Sequence, residues 1–150
     1  GEGREFRTTY AEHLRRVAAR SRTNPMSTVD DETIAELYEA ILEKDLLVFL
    51  EEAFAIIEPG RELIQSWHLE HLAWLLGEVA AGRERRVVVT VPPRTLKSIL
   101  ISVVFPAFLL GRDPTLKIIV ASNTRELARK HAQDFRRLTQ SPFYKRVFPR

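Results

Sequence analysis

Two short runs constrain this chain more than anything else in it: Arg86-Val87-Val88-Val89-Thr90-Val91 and Lys117-Ile118-Ile119-Val120-Ala121. Each is β-branched, apolar and of strand length, the pattern of a strand buried on both faces. Between them lie a loop at 92–97 and an apolar helical stretch at 98–110, crossed by Pro106 and ending at Gly111. After the second run, residues 123–138 read as a basic amphipathic helix. The order strand, loop, helix, strand, helix predicts parallel pairing through a right-handed crossover. The expected fold class is therefore α/β, with a helical N-terminal part followed by the start of a parallel sheet.

The helical part is read from its periodicity. Thr28 caps a helix whose face carries Ile34, Leu37, Tyr38, Ile41 and Leu42. A second helix covers about 46–57 and stops at Glu58-Pro59-Gly60; a third runs from about 66 to 81, with Gly82 as its C-cap. The run Leu46-Leu47-Val48-Phe49-Leu50-Glu51-Glu52 imitates a strand ending in two acids, but its neighbours make it a buried helix. Segment 1–25 has its own helical face, Tyr10, Leu14 and Val17, and ends in the breaker-rich stretch before Met26. It reads as an added or upstream in-frame extension.

Charge divides the chain at the same places. Residues 1–25 carry six Arg and three Glu; residues 26–82 carry two basic and thirteen acidic residues; residues 83–150 carry fifteen basic and four acidic residues. The net +3 thus conceals +3, −11 and +11. The expected domains are a basic extension at 1–25, an acidic helical region at 26–82 and the first half of a nucleotide-binding core at 83–150. Such asymmetry points to an anion for the third segment, or to two faces that attract each other. The absence of cysteine removes disulfides, thiolate metal sites and cysteine nucleophiles, and suits a reducing interior. No apolar run in the sequence approaches the roughly 20 residues of a membrane helix.

The chemistry is concentrated in Val91-Pro92-Pro93-Arg94-Thr95-Leu96-Lys97-Ser98, between a run of strand type and a helix N-terminus. A phosphate-binding loop usually reads G-x-x-x-x-G-K-[ST]; here Val91 and Leu96 replace both glycines. The Lys-Ser pair and its context remain. A helix that starts there aims free N–H groups and a positive dipole end at a bound anion. Lys97 suits β- and γ-phosphate oxygens and the Ser98 hydroxyl suits Mg²⁺. The competing reading is a strand–helix turn with a surface lysine.

The run "VTVPPRTLKSILISVVFP" at 89–106 resembles the ATPase loop of large terminase subunits, the DNA-packaging motors of tailed phages and prophages. That family carries P-P-R-x-G-K-S or P-P-R-[ST]-L-K-S, so Leu96 departs from general P-loops and not from this variant. Flanking text agrees: Trp67-His68 before Leu72, Leu75 and Leu76; "FPAFLLGRDP" at 105–114; "IIVASNTRELARKHAQDFRRL" at 118–138; and "SPFYKRVFP" at 141–149. The resemblance covers about 45–149. It implies a RecA-like P-loop NTPase fold, cut short here, with ATP and Mg²⁺ as cofactors. It also implies double-stranded DNA, the portal and the small terminase subunit as partners, and self-association into a ring. The implied location is the cytoplasm of a bacterial host.

Carried over, the nucleotide-binding residues are Pro93, Arg94, Thr95, Leu96, Lys97 and Ser98, with Ser98 reaching Mg²⁺ through ATP. Arg94 is the implied catalytic residue, acting on the γ-phosphate from within the subunit; alternatively it pairs with a helix acid. Trp67 and His68 fall where related motors touch adenine, though Trp67 and Trp74 at i, i+7 also suit a core. Arg125, Arg129, Lys130, Arg136 and Arg137, with Lys145, Arg146 and Arg150, form a basic cluster open to three readings: DNA phosphate contact, for which Arg129, Lys130, Arg136 and Arg137 are the candidates, subunit contact or a solvated face. The acids after Lys97 are Asp113, Glu126 and Asp134, none at the end of a strand. Mg²⁺-binding and water-positioning carboxylates, like the family's nuclease acids, are thus expected beyond Arg150, with ATP bound but not efficiently hydrolysed. Two other functions compete: a fragment of another RecA-like DNA-dependent ATPase or helicase, and a non-catalytic remnant that binds DNA or assembles. His68-x-x-His71 lacks a third zinc ligand, and His131 reads as a surface residue.

Overall fold

The computed structural model describes residues 31–64, 66–92 and 96–149. Segment 1–25 with its Tyr10, Leu14, Val17 face lies outside the described residues, as do the Thr28 cap, Pro93, Arg94 and Thr95. Six helices are described: α1 (Asp31–Leu42), α2 (Leu46–Ile57), α3 (Trp67–Ala80), α4, α5 (Arg125–Gln140) and α6 (Pro142–Val147). Helix α4 runs through three stretches in series, Lys97–Ile99, Leu100–Val104 and Phe105–Arg112.

Local chemistry sets the ends of these helices. Asp45 caps α2, its carboxylate accepting from the N–H groups of Leu47 and Val48. Glu58-Pro59-Gly60-Arg61 turns the chain after α2, with Gly60 at φ 84° and the Arg61 N–H on the Glu58 carbonyl. After α3, Gly82 takes φ 73° and donates to Val79, while Arg83 donates to Glu78: the two bonds of a Schellman end. The Arg83 guanidinium closes on the Glu78 carboxylate at 2.6 and 2.7 Å. Thr124 and Ser141 cap α5 and α6 through Leu127 and Tyr144.

The interior of α4 solves the problem posed by Pro106, which has no N–H and whose ring clashes with the carbonyl four residues back. The helix widens to π geometry over Leu100–Val104, and the Phe105 N–H reaches back five residues to Leu100. Leu100, Val103, Val104 and Pro106 are all buried there. Gly111 is not the end of this helix, which runs on to Arg112. Its role is space: a Cβ at Gly111 would strike the Phe148 ring.

One apolar core joins the acidic helices to the basic half, from Leu42, Phe49 and Leu50 through Leu69 and Leu76 to Val104, Phe108, Leu138 and Phe148. At its centre Phe49 lies 5.5 Å from the rings of Phe108 and Phe143 and 5.7 Å from Phe148. The Tyr144 hydroxyl donates to the Ala107 carbonyl at 2.8 Å and ties α6 to α4. Helix α2 is locked to α5 by polar contacts. Arg137 donates to the Ile57 carbonyl at 3.0 Å, and Lys130 reaches Glu58 at 3.4 Å and Asp134 at 2.9 Å.

The expected parallel sheet is not there. Among the described residues no strand or ladder exists, and the described part of the fold is helical. Residues 86–91 and 117–121 belong to no helix or ladder, alternate in exposure along each run, and share no backbone hydrogen bond with each other. Val89 rests against the core, while Ile118 and Val120 face α4 and α5. Val88 and Ile119, on the opposite side, are each 93% exposed. A β-branched run favours an extended backbone locally, but a sheet needs a hydrogen-bonding neighbour, and neither run meets one among the described residues. The α/β assignment is thus overturned for the described residues.

Candidate functional site

The turn before α4 is built by a residue in an unusual conformation. Leu96 has φ 61° and ψ 4°, the left-handed region, the one such non-glycine among the described residues. A β-carbon there costs on the order of 1–2 kcal/mol. This is the position that glycine holds in the general phosphate-loop pattern. The turn therefore makes the backbone reversal that glycine makes elsewhere, and Leu96 offsets the strain by packing against the core. Its carbonyl accepts from the Leu100 N–H at 2.9 Å, so α4 starts immediately after it.

Lys97 and Ser98 open α4. Lys97 is half-buried and makes no hydrogen bond or ion pair with any described residue, and no acid lies in the first turn. A cation at a helix N-terminus opposes the helix dipole, so this lysine is placed against the local electrostatics of the fold. Ser98 is exposed and makes no side-chain cap. An anion held between the Lys97 ammonium and the open N–H groups would satisfy both.

The other expected residues divide. Trp67 and Trp74 are 78% and 60% exposed, which removes the core reading for both. Trp67 sits edge-on to His68 at 6.2 Å, and Trp74 stacks on His71 at 5.6 Å. His68 shares a 3.1 Å hydrogen bond with Ser66. No hydrogen bond, ion pair or ring contact joins Trp67 or His68 to Lys97 or Ser98. The two imidazoles of His68 and His71 take separate partners, and no metal-binding group of three ligands occurs among the described residues. Asp113 is occupied by Thr115, whose N–H and hydroxyl donate to it at 2.9 and 2.6 Å. Asp134 is buried against Lys130 and Arg137.

On α5 the basic cluster separates into two pairs. Lys130 and Arg137 belong to the α2–α5 contact, whereas Arg129 and Arg136 are exposed with no ion pair to a described residue. The Asp134 hydrogen bond holds the Lys130 ammonium above its ordinary pKa. His131 is buried, contrary to its expected surface position, at 3.4 Å from the Ser122 hydroxyl. Burial, helped by the Lys130 charge, pushes its pKa below the ordinary histidine value. The 3.6-residue period does contain this signal, since His131, Asp134 and Leu138 share the buried side of α5.

Comparison with protein-family models, with curated proteins and with solved structures finds no match to this chain.

Proposed function

We propose that this chain binds nucleotide phosphate with Mg²⁺ at the turn before α4, as part of an ATP-driven motor of the large-terminase kind that packages double-stranded DNA. The observation that carries the reading is the left-handed Leu96 followed by a half-buried Lys97 that has no partner among the described residues, at the head of α4. A bound phosphate would give this ammonium the partner that the described residues do not. Lys97 holds β- and γ-oxygens, Ser98 holds Mg²⁺ through ATP, and Arg94 acts on the γ-phosphate. Hydrolysis requires carboxylates that the described acids near α4 and α5 do not supply, so the activity of these residues is binding. Trp67 is free to stack on a base. Duplex DNA meets Arg129 and Arg136; portal, small subunit and ring formation in the host cytoplasm follow from the same resemblance. No helix of the described residues is long and apolar enough to cross a membrane.

Calorimetric titration of the 150-residue chain with a non-hydrolysable ATP analogue and Mg²⁺ tests this. Lys97→Ala is expected to weaken binding at least tenfold, a change of about 1.4 kcal/mol. Without nucleotide the same variant melts at the wild-type temperature or slightly above it, because it removes a cation from the positive end of a helix. Equal binding by both proteins would end the proposal.

A further inference from the structure

Residues 117–121 run between α4 and α5 with no strand partner among the described residues. Their backbone makes no hydrogen bond with any described residue. Ile118 and Val120, still 36% and 43% exposed, line an open cavity of about 530 Å³ together with Pro106 and Leu110 of α4 and Ala132 and Phe135 of α5. Lys117 and Ile119 do not line the cavity; both are exposed, Ile119 by 93%. An exposed edge with apolar pockets at alternate positions is the surface onto which an extended chain adds: main-chain bonds supply affinity and the pockets supply selectivity.

Charge decides which chain. Lys117 starts the run, Arg136 lines the cavity, and Arg125 and Arg129 lie along α5; none has an ion pair with a described residue. Of the two acids on α5, Asp134 is already held by Lys130. The chain's own other run, 86–91, opens with Arg86 directly after Arg85, and Arg83 before them is already paired with Glu78. A second copy offering this run would bring two arginines with no partner among the described residues against Lys117. We propose that residues 117–121 and the cavity beneath them dock an extended acidic segment of a partner polypeptide, which pairs with the free backbone and places apolar side chains between α4 and α5. Its outward residues meet Lys117 and its ends meet the arginines of α5. The docking edge shares Arg129 and Arg136 with the proposed DNA contact, so duplex DNA and an acidic segment compete there. It does not include Lys97 or Ser98, so its test is independent of nucleotide binding.

A fluorescein-labelled eight-residue peptide alternating valine and glutamate, titrated with the 150-residue chain at low salt, tests the proposal by anisotropy. Saturable binding is expected, at least tenfold tighter than that of the counterpart with lysine for glutamate. In an extended run successive N–H groups point to opposite edges, so either Ile119→Pro or Val120→Pro must abolish it. Both variants should keep the wild-type circular dichroism, since the segment contributes no backbone bonds to the fold. Ile119→Thr keeps the backbone and should bind within threefold of wild type. No saturable binding, equal binding of the lysine peptide, or full binding by both proline variants overturns the proposal. A dimer of the chain alone that dissociates in the proline variants also overturns it, in favour of a second copy at this edge.

Discussion

Leu96 and Gly111 show how single residues carry constraints that their types disguise. Leu96 holds a conformation suited to glycine and compensates through its contact with the core. Leu96→Gly should therefore change stability by less than about 1 kcal/mol, relief of strain offsetting lost burial. Leu96→Val, whose branched β-carbon suits this region least, should cost more than about 1 kcal/mol. Urea denaturation midpoints measure both, and a Val variant as stable as wild type would refute the left-handed turn. Gly111 is the opposite case, a glycine with ordinary φ kept for space under Phe148. Gly111→Ala should destabilise by about 1–3 kcal/mol through overpacking, despite the better helix propensity of alanine. Unchanged thermal stability would show that the ring moves aside.

At the scale of elements, α5 performs two tasks with one set of basic residues. Lys130 and Arg137 close the contact with the end of α2, where the Ile57 carbonyl and Glu58 await positive partners. Arg129 and Arg136 remain for an external anion. Arg129→Ala with Arg136→Ala should lower the slope of log affinity for duplex DNA against log salt by about 2 and leave the melting temperature alone. Lys130→Ala should instead lower stability by roughly 1 kcal/mol, because the buried Asp134 carboxylate loses its closest cation. If the first pair changes melting and the second does not, the division is reversed. Helix α4 makes a related point: its π stretch lets a proline lie in the middle of a buried helix without ending it.

For the whole molecule, stability should depend on pH in two windows. The folded pKa of His131 lies below its unfolded value of 6.5, so the unfolded chain binds the proton more readily. The neutral, buried imidazole stabilises the fold fully above pH 6.5, and that contribution is lost as pH falls through the folded value. Glu58 follows at lower pH. Burial raises its pKa, but Lys130 and Arg61 outweigh burial and hold it below 4.5, so its contribution is present above 4.5 and is lost in acid. Denaturation midpoints should fall from pH 7 to pH 5 in wild type and fall less in His131→Asn; parallel slopes would remove His131 from this role.

Much of the helical architecture was legible in the chain itself. Helix α2 was bounded by the spacing of its apolar residues, the C-terminal end of α3 by Gly82, and the run 46–52 was separated from a strand by its neighbours. These are local signals: caps, periods of 3.6 and breakers act within a few residues. The turn at 96–98 was legible as a motif, and its left-handed geometry became visible only in three dimensions. Pairing was not legible. The valine and isoleucine runs read as strands, but whether such a run meets a partner depends on where α4 and α5 carry it, and that is set by the shared core around Phe49. Burial of His131 and the partners of Lys130 and Arg137 were decided there too, because contacts across more than 70 residues, such as those from α5 to Ile57 and Glu58, leave no trace in local sequence.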